Sequence, residues 1–481
     1  MTAVQALATR VGGQVSALVL GVVTGATGIL PPRIRYGYVH RITRGLLRKP
    51  LPALPALGAD RKSRSDVLDA PAGDLRCVLG TSELDVGGIG SVVELLATAL
   101  PARGVTPAVV CLGDGTRAQR IRDLGIEVRS VRDEASALRA FTELRPDVIQ
   151  LHGAPAFLDF AARTSGAPVV PVLHNTEIHY SRARWRRFSR ALSESSSAVA
   201  VSELVRTYHA VHVPALLWSR IVVIPNAAPG LNAPDTQQRR VARDLLERAV
   251  GGRFHDDVIF VCLARYDAQK NIAGTVASFL RCVAAGVPAQ LVIAGEPSDW
   301  VEFRRSEAIR RGSRNGGRVH LLATSDAWTL LAAADAFVLN SFFEGWPVAA
   351  TEAWAAGLPI ILSDVGGARE LVARDPARAI LIANASGDAS EVSDAAVERA
   401  RWSAARQRNS SELGDAIKRV VDMVHRARIV PLASRDASDG VDAMIDAHAH
   451  VLRYAARTRP ADGSTRPGRS SGDDARGAVT I

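Results

Sequence analysis

Lysine is almost missing from this chain. Lys49, Lys62, Lys270 and Lys418 are the only four in 481 residues, so the formal net charge of +10 rests almost entirely on arginine. A chain this rich in Arg, Ala and Gly reads as the product of a GC-rich, bacterial genome, and it makes each lysine informative. The basic excess points to anionic partners without naming them, and nucleic acid is not among those expected. Cysteine is as thin: Cys77, Cys111, Cys262 and Cys282 lie far apart, none in a C-x-x-C or beside a histidine at metal-ligand spacing. That excludes a disulfide framework and a cysteine-held metal, and leaves small buried hydrophobes in a reducing cytoplasm. No Asp-x-Asp stands at a strand end, so no metal site is expected there either.

A clean hydrophobic span is lacking too. Residues 11–32 carry no charge over a bilayer-spanning length, but five glycines, two prolines and several polar residues dilute the signal. No A-x-A site follows, which argues against a secretory signal. The next stretch, "RIRYGYVHRITRGLLRK", has no acid at all. It holds Arg33, Arg35, Arg41, Arg44, Arg48 and Lys49, with Ile34, Tyr38, Ile42 and Leu46 recurring every four residues. That spacing predicts a basic amphipathic helix, lying either on an anionic membrane surface or with its stripe packed on the protein. Residues 1–74 are thus an N-terminal extension that spans, lies on or avoids the cytoplasmic face of a membrane.

What the chain does have is rhythm. From residue 75 onward, continuous apolar runs alternate with helical stretches. They are 75–80, 108–113, 147–152, 168–174, 197–202 and 221–226, then, after a helical interlude, 258–265, 289–295, 319–323, 336–341, 359–364 and 379–383. Unbroken runs of this kind are strands buried on both faces of a parallel sheet. The length suits two or three domains. The reading is α/β, with two doubly wound, Rossmann-like domains facing each other across a cleft, at 75–235 and 236–430. A late helix at 440–457 is expected to pack back on the first domain, and 458–481 reads as a disordered tail. In that helix "IDAHAHV" imitates a metal-binding strand, but too little chain follows for such a barrel, and His448 and His450, two apart on a helix, do not share a face.

Chemistry concentrates in "FFEGWPVAATEAWAAGLP", residues 342–359, where Glu344 and Glu352 are the only charges. The strand 336–341 ends, Gly345 and Pro347 make a turn, and a helix runs from Pro347 until Gly357 closes it. Free N–H groups at its start suit an anion such as a diphosphate, and the two carboxylates suit sugar hydroxyls. Upstream, "LARYDAQKN" sets Arg265 and Lys270 at a strand end, two cations able to neutralise a diphosphate without metal. Downstream, "SDVGGARELV" adds a glycine turn and Glu370.

These motifs, in this order, resemble the donor-binding domain of family-4 retaining glycosyltransferases with the GT-B fold, whose Glu-x(7)-Glu falls on Glu344 and Glu352. The resemblance covers roughly 75–457. It implies that Arg265 and Lys270 clamp a nucleotide diphosphate, that Glu352 holds the ribose and Glu344 the transferred sugar, with Gly345 in the donor-binding turn. In the first half "LDVGGIG" is similar to the family's glycine loop, through Gly87, Gly88 and Gly90. His152 and His174 end strands, and His174 matches the position near the reacting sugar. The chain departs from the family at Ala264 and Ala227, where glycine is usual. The function implied is metal-independent hexosyl transfer from a nucleotide sugar, UDP or GDP first, to a sugar, glycolipid or lipid-linked acceptor in envelope polysaccharide synthesis. No bound cofactor is implied. A GT-B nucleotide-sugar epimerase and a non-catalytic nucleotide-binding scaffold are the alternatives. A second arginine cluster, Arg182, Arg184, Arg186, Arg187 and Arg190, follows His174 and reads either as a membrane-facing surface or as a solvated helix.

Overall fold

A computed structural model describes residues 3–31, 34–35, 40–56, 75–82, 84, 87–228, 233–427 and 438–458. Arg33 and Tyr38 of the basic segment, and the tail beyond Thr458, lie outside the described residues.

Two all-parallel sheets organise the chain. The first has the order β3-β2-β1-β4-β5-β6-β7, built from β1 Leu75–Thr81, β2 Val105–Cys111, β3 Glu127–Ser130, β4 Val148–His152, β5 Val169–Leu173, β6 Ala198–Ala200 and β7 Ile221–Val223. The second runs β10-β9-β8-β11-β12-β13, from β8 Val258–Leu263, β9 Ala289–Ala294, β10 Val319–Leu322, β11 Ala336–Leu339, β12 Ile360–Ser363 and β13 Ala379–Ile382. Central strands β1, β4, β8, β9 and β11 are buried almost throughout, which explains why their sequences do not alternate. Only β3 went unread. Its sequence EVRS is short, polar and, apart from Val128, exposed at a sheet edge. In each sheet the strand order reverses between a central pair, β1/β4 and β8/β11, and the carboxyl ends of such pairs are where α/β sheets bind ligands.

The N-terminal extension lies against the second sheet's helices. Helix Ala3–Gly28 packs along helix Trp300–Gly312 and touches helix Asp394–Trp402. The contact needs small residues: a Cβ on Gly13 would sit 2.5 Å from the Gly312 nitrogen. The glycines that weaken a spanning signal are, in part, this contact stripe. On the other side of the same helix Leu7, Val11, Val15, Leu18 and Val22 are exposed.

Of the basic segment expected as a helix over 33–49, residues 34–35 and 40–49 are described. Its helix is His40–Leu47, and Arg35 turns inward, 6% exposed, onto Asp394, Glu398 and the carbonyls of Thr27, Gly28 and Leu30. Five inward acceptors outweigh its place in the surface stripe. Lys49 pairs with Glu307, so it too is taken up by the protein. Ile42 and Leu46 remain exposed. Beyond them the Pro52 and Leu54 carbonyls accept from the Ala323 and Asp326 amides, pinning the extension to the second domain.

Helix Ser438–Arg457 follows the second domain in sequence but lies on β4 and β5 of the first. Met444 Sδ accepts from the Ala227 amide at 3.1 Å, and Arg103 pairs with Asp442 and Asp446. His448 faces inward, 1% exposed, while His450 faces solvent.

Candidate active site

A cleft of about 690 Å³ opens between the carboxyl ends of the two sheets. Its second-domain wall begins with the loop after β8. Asp267 Oδ1 accepts from the Gln269 and Lys270 amides and folds that loop on itself. Asn271 then takes φ 52°, a left-handed turn that asparagine tolerates, and opens helix Ile272–Ala284. Reciprocal amide bonds with Gln407 lock it there. The loop thereby carries Lys270 to the end of β11.

There Lys270 Nζ meets Glu344 Oε1 at 2.5 Å. Ser341 Oγ donates to the same oxygen at 2.7 Å, and Gln269 Nε2 donates to Oε2 at 3.1 Å and to the Phe343 carbonyl at 2.9 Å. A nearly buried carboxylate is thus fully engaged on its protein side, as burial of a charge demands. Lys270 has three donors and commits one of them to Glu344. Arg265 is half exposed at the rim, 3.0 Å from Asp267. Pro347 opens helix Val348–Ala355, whose first turn and Glu352 line the cleft.

The opposite wall comes from the first domain. Gly87, at φ 139°, takes a conformation reserved for glycine and caps helix Gly88–Ala99. Gly87, Gly88 and Gly90 all line the cleft, and a Cβ on Gly88 would lie 3.3 Å from Val348 Cγ2 across it. His174, just past β5, lines it too; burial pushes its imidazole down to about 4, so it is neutral.

Gly345 sits in the turn between Glu344 and Pro347 and has a second, interdomain contact. A Cβ there would lie 1.8 Å from the His174 carbonyl oxygen, so its backbone is one of the points where the two domains touch. Glu370 faces away from the cleft and accepts from the Glu203 amide, joining the domains at the start of helix Glu203–Ala210. Two further links lie nearby. Tyr208 Oη donates to the Val392 carbonyl at 3.2 Å, and His179 Nδ1 lies 3.1 Å from Asp394 Oδ1, the carboxylate that also receives Arg35.

Several residues at the site escape sequence reasoning. Gln269 and Ser341 support Glu344, and only their adjacency to Lys270 and to the strand end could have signalled them. Glu177 lies in the loop after His174, and burial raises it to about 7 against the opposing pull of Arg184 and His179. Arg184 and Arg187, from helix Arg182–Ser193, face the same space, and Arg184 stacks 4.5 Å over the Tyr180 ring.

The Anabaena protein HepE, solved with UDP and glucose, superposes with a TM-score of 0.57 at 17% identity, covering 79% of this chain and 100% of that one. This is the GT-B fold. Along the chain the GT-B halves match separate family models, residues 86–229 the one described as Glycosyltransferase Family 4 and residues 245–410 the one described as Glycosyl transferases group 1. Glycogen synthase of Mycobacterium tuberculosis is 31% identical over 158 residues, 31% of this chain and 37% of that protein. A GDP-mannose:cellobiosyl-diphosphopolyprenol alpha-mannosyltransferase of Xanthomonas oryzae is 26% identical over 229 residues, 46% of this chain and 56% of that protein. The chain therefore spans between about a third and just over half of these curated relatives' lengths.

Proposed function

We propose that the protein is a retaining glycosyltransferase that moves a sugar from a nucleotide diphosphate donor, UDP or GDP first, to an acceptor of envelope or exopolysaccharide synthesis. The observation that carries this reading is the Lys270–Glu344 pair, held by Ser341 and Gln269 at the end of β11 and facing the Gly87–Gly88 loop. Lys270 keeps two N–H donors for the diphosphate, and Arg265 adds a second cation at the rim. Helix Val348–Ala355 directs its first amides to the same place. Glu352 would take the ribose hydroxyls and Glu344 a hydroxyl of the sugar. The acceptor oxygen bonds to the anomeric carbon on the face from which the diphosphate leaves, and the leaving phosphate oxygen takes the acceptor proton. Fixed cations and amides stabilise the departing charge. Incubation with radiolabelled UDP- and GDP-sugars tests it. Transfer with retained anomeric configuration is expected; an isomerised donor would favour the epimerase, and no turnover of any donor the scaffold.

The membrane reading has its own observation. Helix Ala3–Gly28 has one side on the second domain and leaves Leu7, Val11, Val15, Leu18 and Val22 uncovered, with Ile42 and Leu46 and the exposed Arg41, Arg44 and Arg48 following. An apolar stripe joined to cations without acids fits an anionic bilayer, with the helix in the interface plane. The cellobiosyl-diphosphopolyprenol relative supports a lipid-linked acceptor. Full-length protein should float with phosphatidylglycerol vesicles at low salt, and Val15→Glu with Leu18→Glu should abolish flotation. Wild-type protein that ignores such vesicles, or self-associates through this stripe instead, would refute the docking.

A further inference from the structure

A file of polar side chains runs through the first sheet from the cleft to the C-terminal helix. His174 Nε2 lies 2.9 Å from His152 Nδ1, His152 Nε2 lies 3.2 Å from Gln150 Oε1, and Gln150 Nε2 lies 3.0 Å from His448 Nδ1. Gln150 and His152, two apart on β4, share a face, and His448 meets them from helix Ser438–Arg457. Gln150, His152 and His448 are at most 1% exposed, so only His174 reaches the cleft. Burial pushes His174 down to about 4 and His448 to about 3, and burial together with the neighbouring imidazoles holds His152 well below its usual range. All three rings are therefore neutral at pH 7.

A neutral imidazole has one N–H and one bare nitrogen, so a file of them has a direction. Gln150 Nε2 donates to His448 Nδ1, which places the His448 proton on Nε2. Gln150 Oε1 accepts from His152 Nε2–H, which leaves His152 Nδ1 bare. That nitrogen accepts from His174 Nε2–H. The opposite orientation of one amide would reverse every bond. At the far end His448 Nε2 is buried and has no hydrogen-bond partner among the described residues, so the direction of the file is set by the orientation of the Gln150 amide.

We propose that Gln150 and His448 are positioning residues that fix His174 as the Nε2–H tautomer, leaving Nδ1 as a hydrogen-bond acceptor for a hydroxyl of the bound sugar. The proposal rests on the transferase reading for the use of His174, though not for its tautomer. A helix that follows the donor domain in sequence thereby sets the chemistry of a residue on the other wall.

The test uses full-length protein labelled with ¹⁵N-histidine, read by long-range ¹H–¹⁵N correlation, beside transfer kinetics. Wild-type His174 should show a protonated Nε2 and a bare Nδ1. Gln150→Leu should mix the tautomers and lower kcat by about tenfold with donor KM changed by less than about twofold. His448→Phe should do the same, and His448→Asn, whose carbonyl can accept from Gln150, should restore both. His174 found as the Nδ1–H tautomer in wild type, or unmoved in Gln150→Leu, would overturn the proposal. Should Gln150→Leu not fold, the two His448 variants give the same readouts. Absence of any transfer by the wild type would defeat the transferase reading alone, because the tautomer measurement still decides the file.

Discussion

Lys270 and Glu344 are each other's counter-ions, 17% and 6% exposed, so replacing the lysine does two things at once. It removes a cation from the cleft and leaves a nearly buried carboxylate unpaired, at a cost of about 3–5 kcal/mol. Lys270→Ala should therefore lower activity by at least about a hundredfold and also lower the Tm. Adding Glu344→Gln should recover the Tm but not the activity, since an amide needs no counter-ion. Unaltered activity in Lys270→Ala would remove the clamp from the mechanism. Glu177 makes a prediction about pH. Burial raises its folded pKa to about 7, above the ordinary 4.5 of a glutamate, so the folded state binds the proton more tightly. Stability attached to that proton is complete below about pH 4.5 and is lost as pH rises through 7. Glu177→Gln should thus gain stability over wild type between pH 5 and 8, by up to about 3 kcal/mol, in denaturant titrations at each pH. A pH-independent difference would show that the carboxyl is solvated. Arg265, Lys270 and Glu352 were legible because a charge in an apolar or lysine-poor context stands out. Glu177 and Gln150 were not, because their meaning comes from burial by segments distant in sequence.

The elements tell a similar story. Buried parallel strands announce themselves as apolar runs, and every strand but the polar edge strand β3 could be read that way. Contacts between elements could not. Gly345 looked like one more turn glycine, yet the His174 carbonyl occupies the space a Cβ would need. Gly345→Ala should hold the domains apart, lowering kcat by about a hundredfold through misplacement of the two walls, with little change in Tm. Small-angle scattering should show a larger radius of gyration than wild type. An unchanged radius with full activity would mean that the contact is dispensable. The amino-terminal helix carries the same lesson in reverse. Its glycines weaken a hydropathy profile, but Gly13 permits close approach to Gly312, and an apolar stripe is left for something else to cover.

At the scale of the whole molecule, two fixed cations and a helix start converge on one end of the cleft, and we expect transfer to survive EDTA. A strict need for manganese or magnesium, seen as loss with EDTA and rescue by one ion, would require a different donor geometry. The two-domain architecture was legible from the restart of the strand rhythm near residue 258. How the extension, the domains and the last helix lock together was not, since those links are single residues such as Arg35, Glu370 and Met444. Asp394 is the most shared of them, 3.1 Å from Arg35 on one side and 3.1 Å from His179 on the other. Parting the domains takes His179 away but leaves Arg35, so the carboxylate is never stranded. We expect the extension in this way to ease product release in the proposed transfer. With Arg35→Leu that exit step should become the slow one, visible as a pre-steady-state burst of nucleotide that wild-type enzyme lacks.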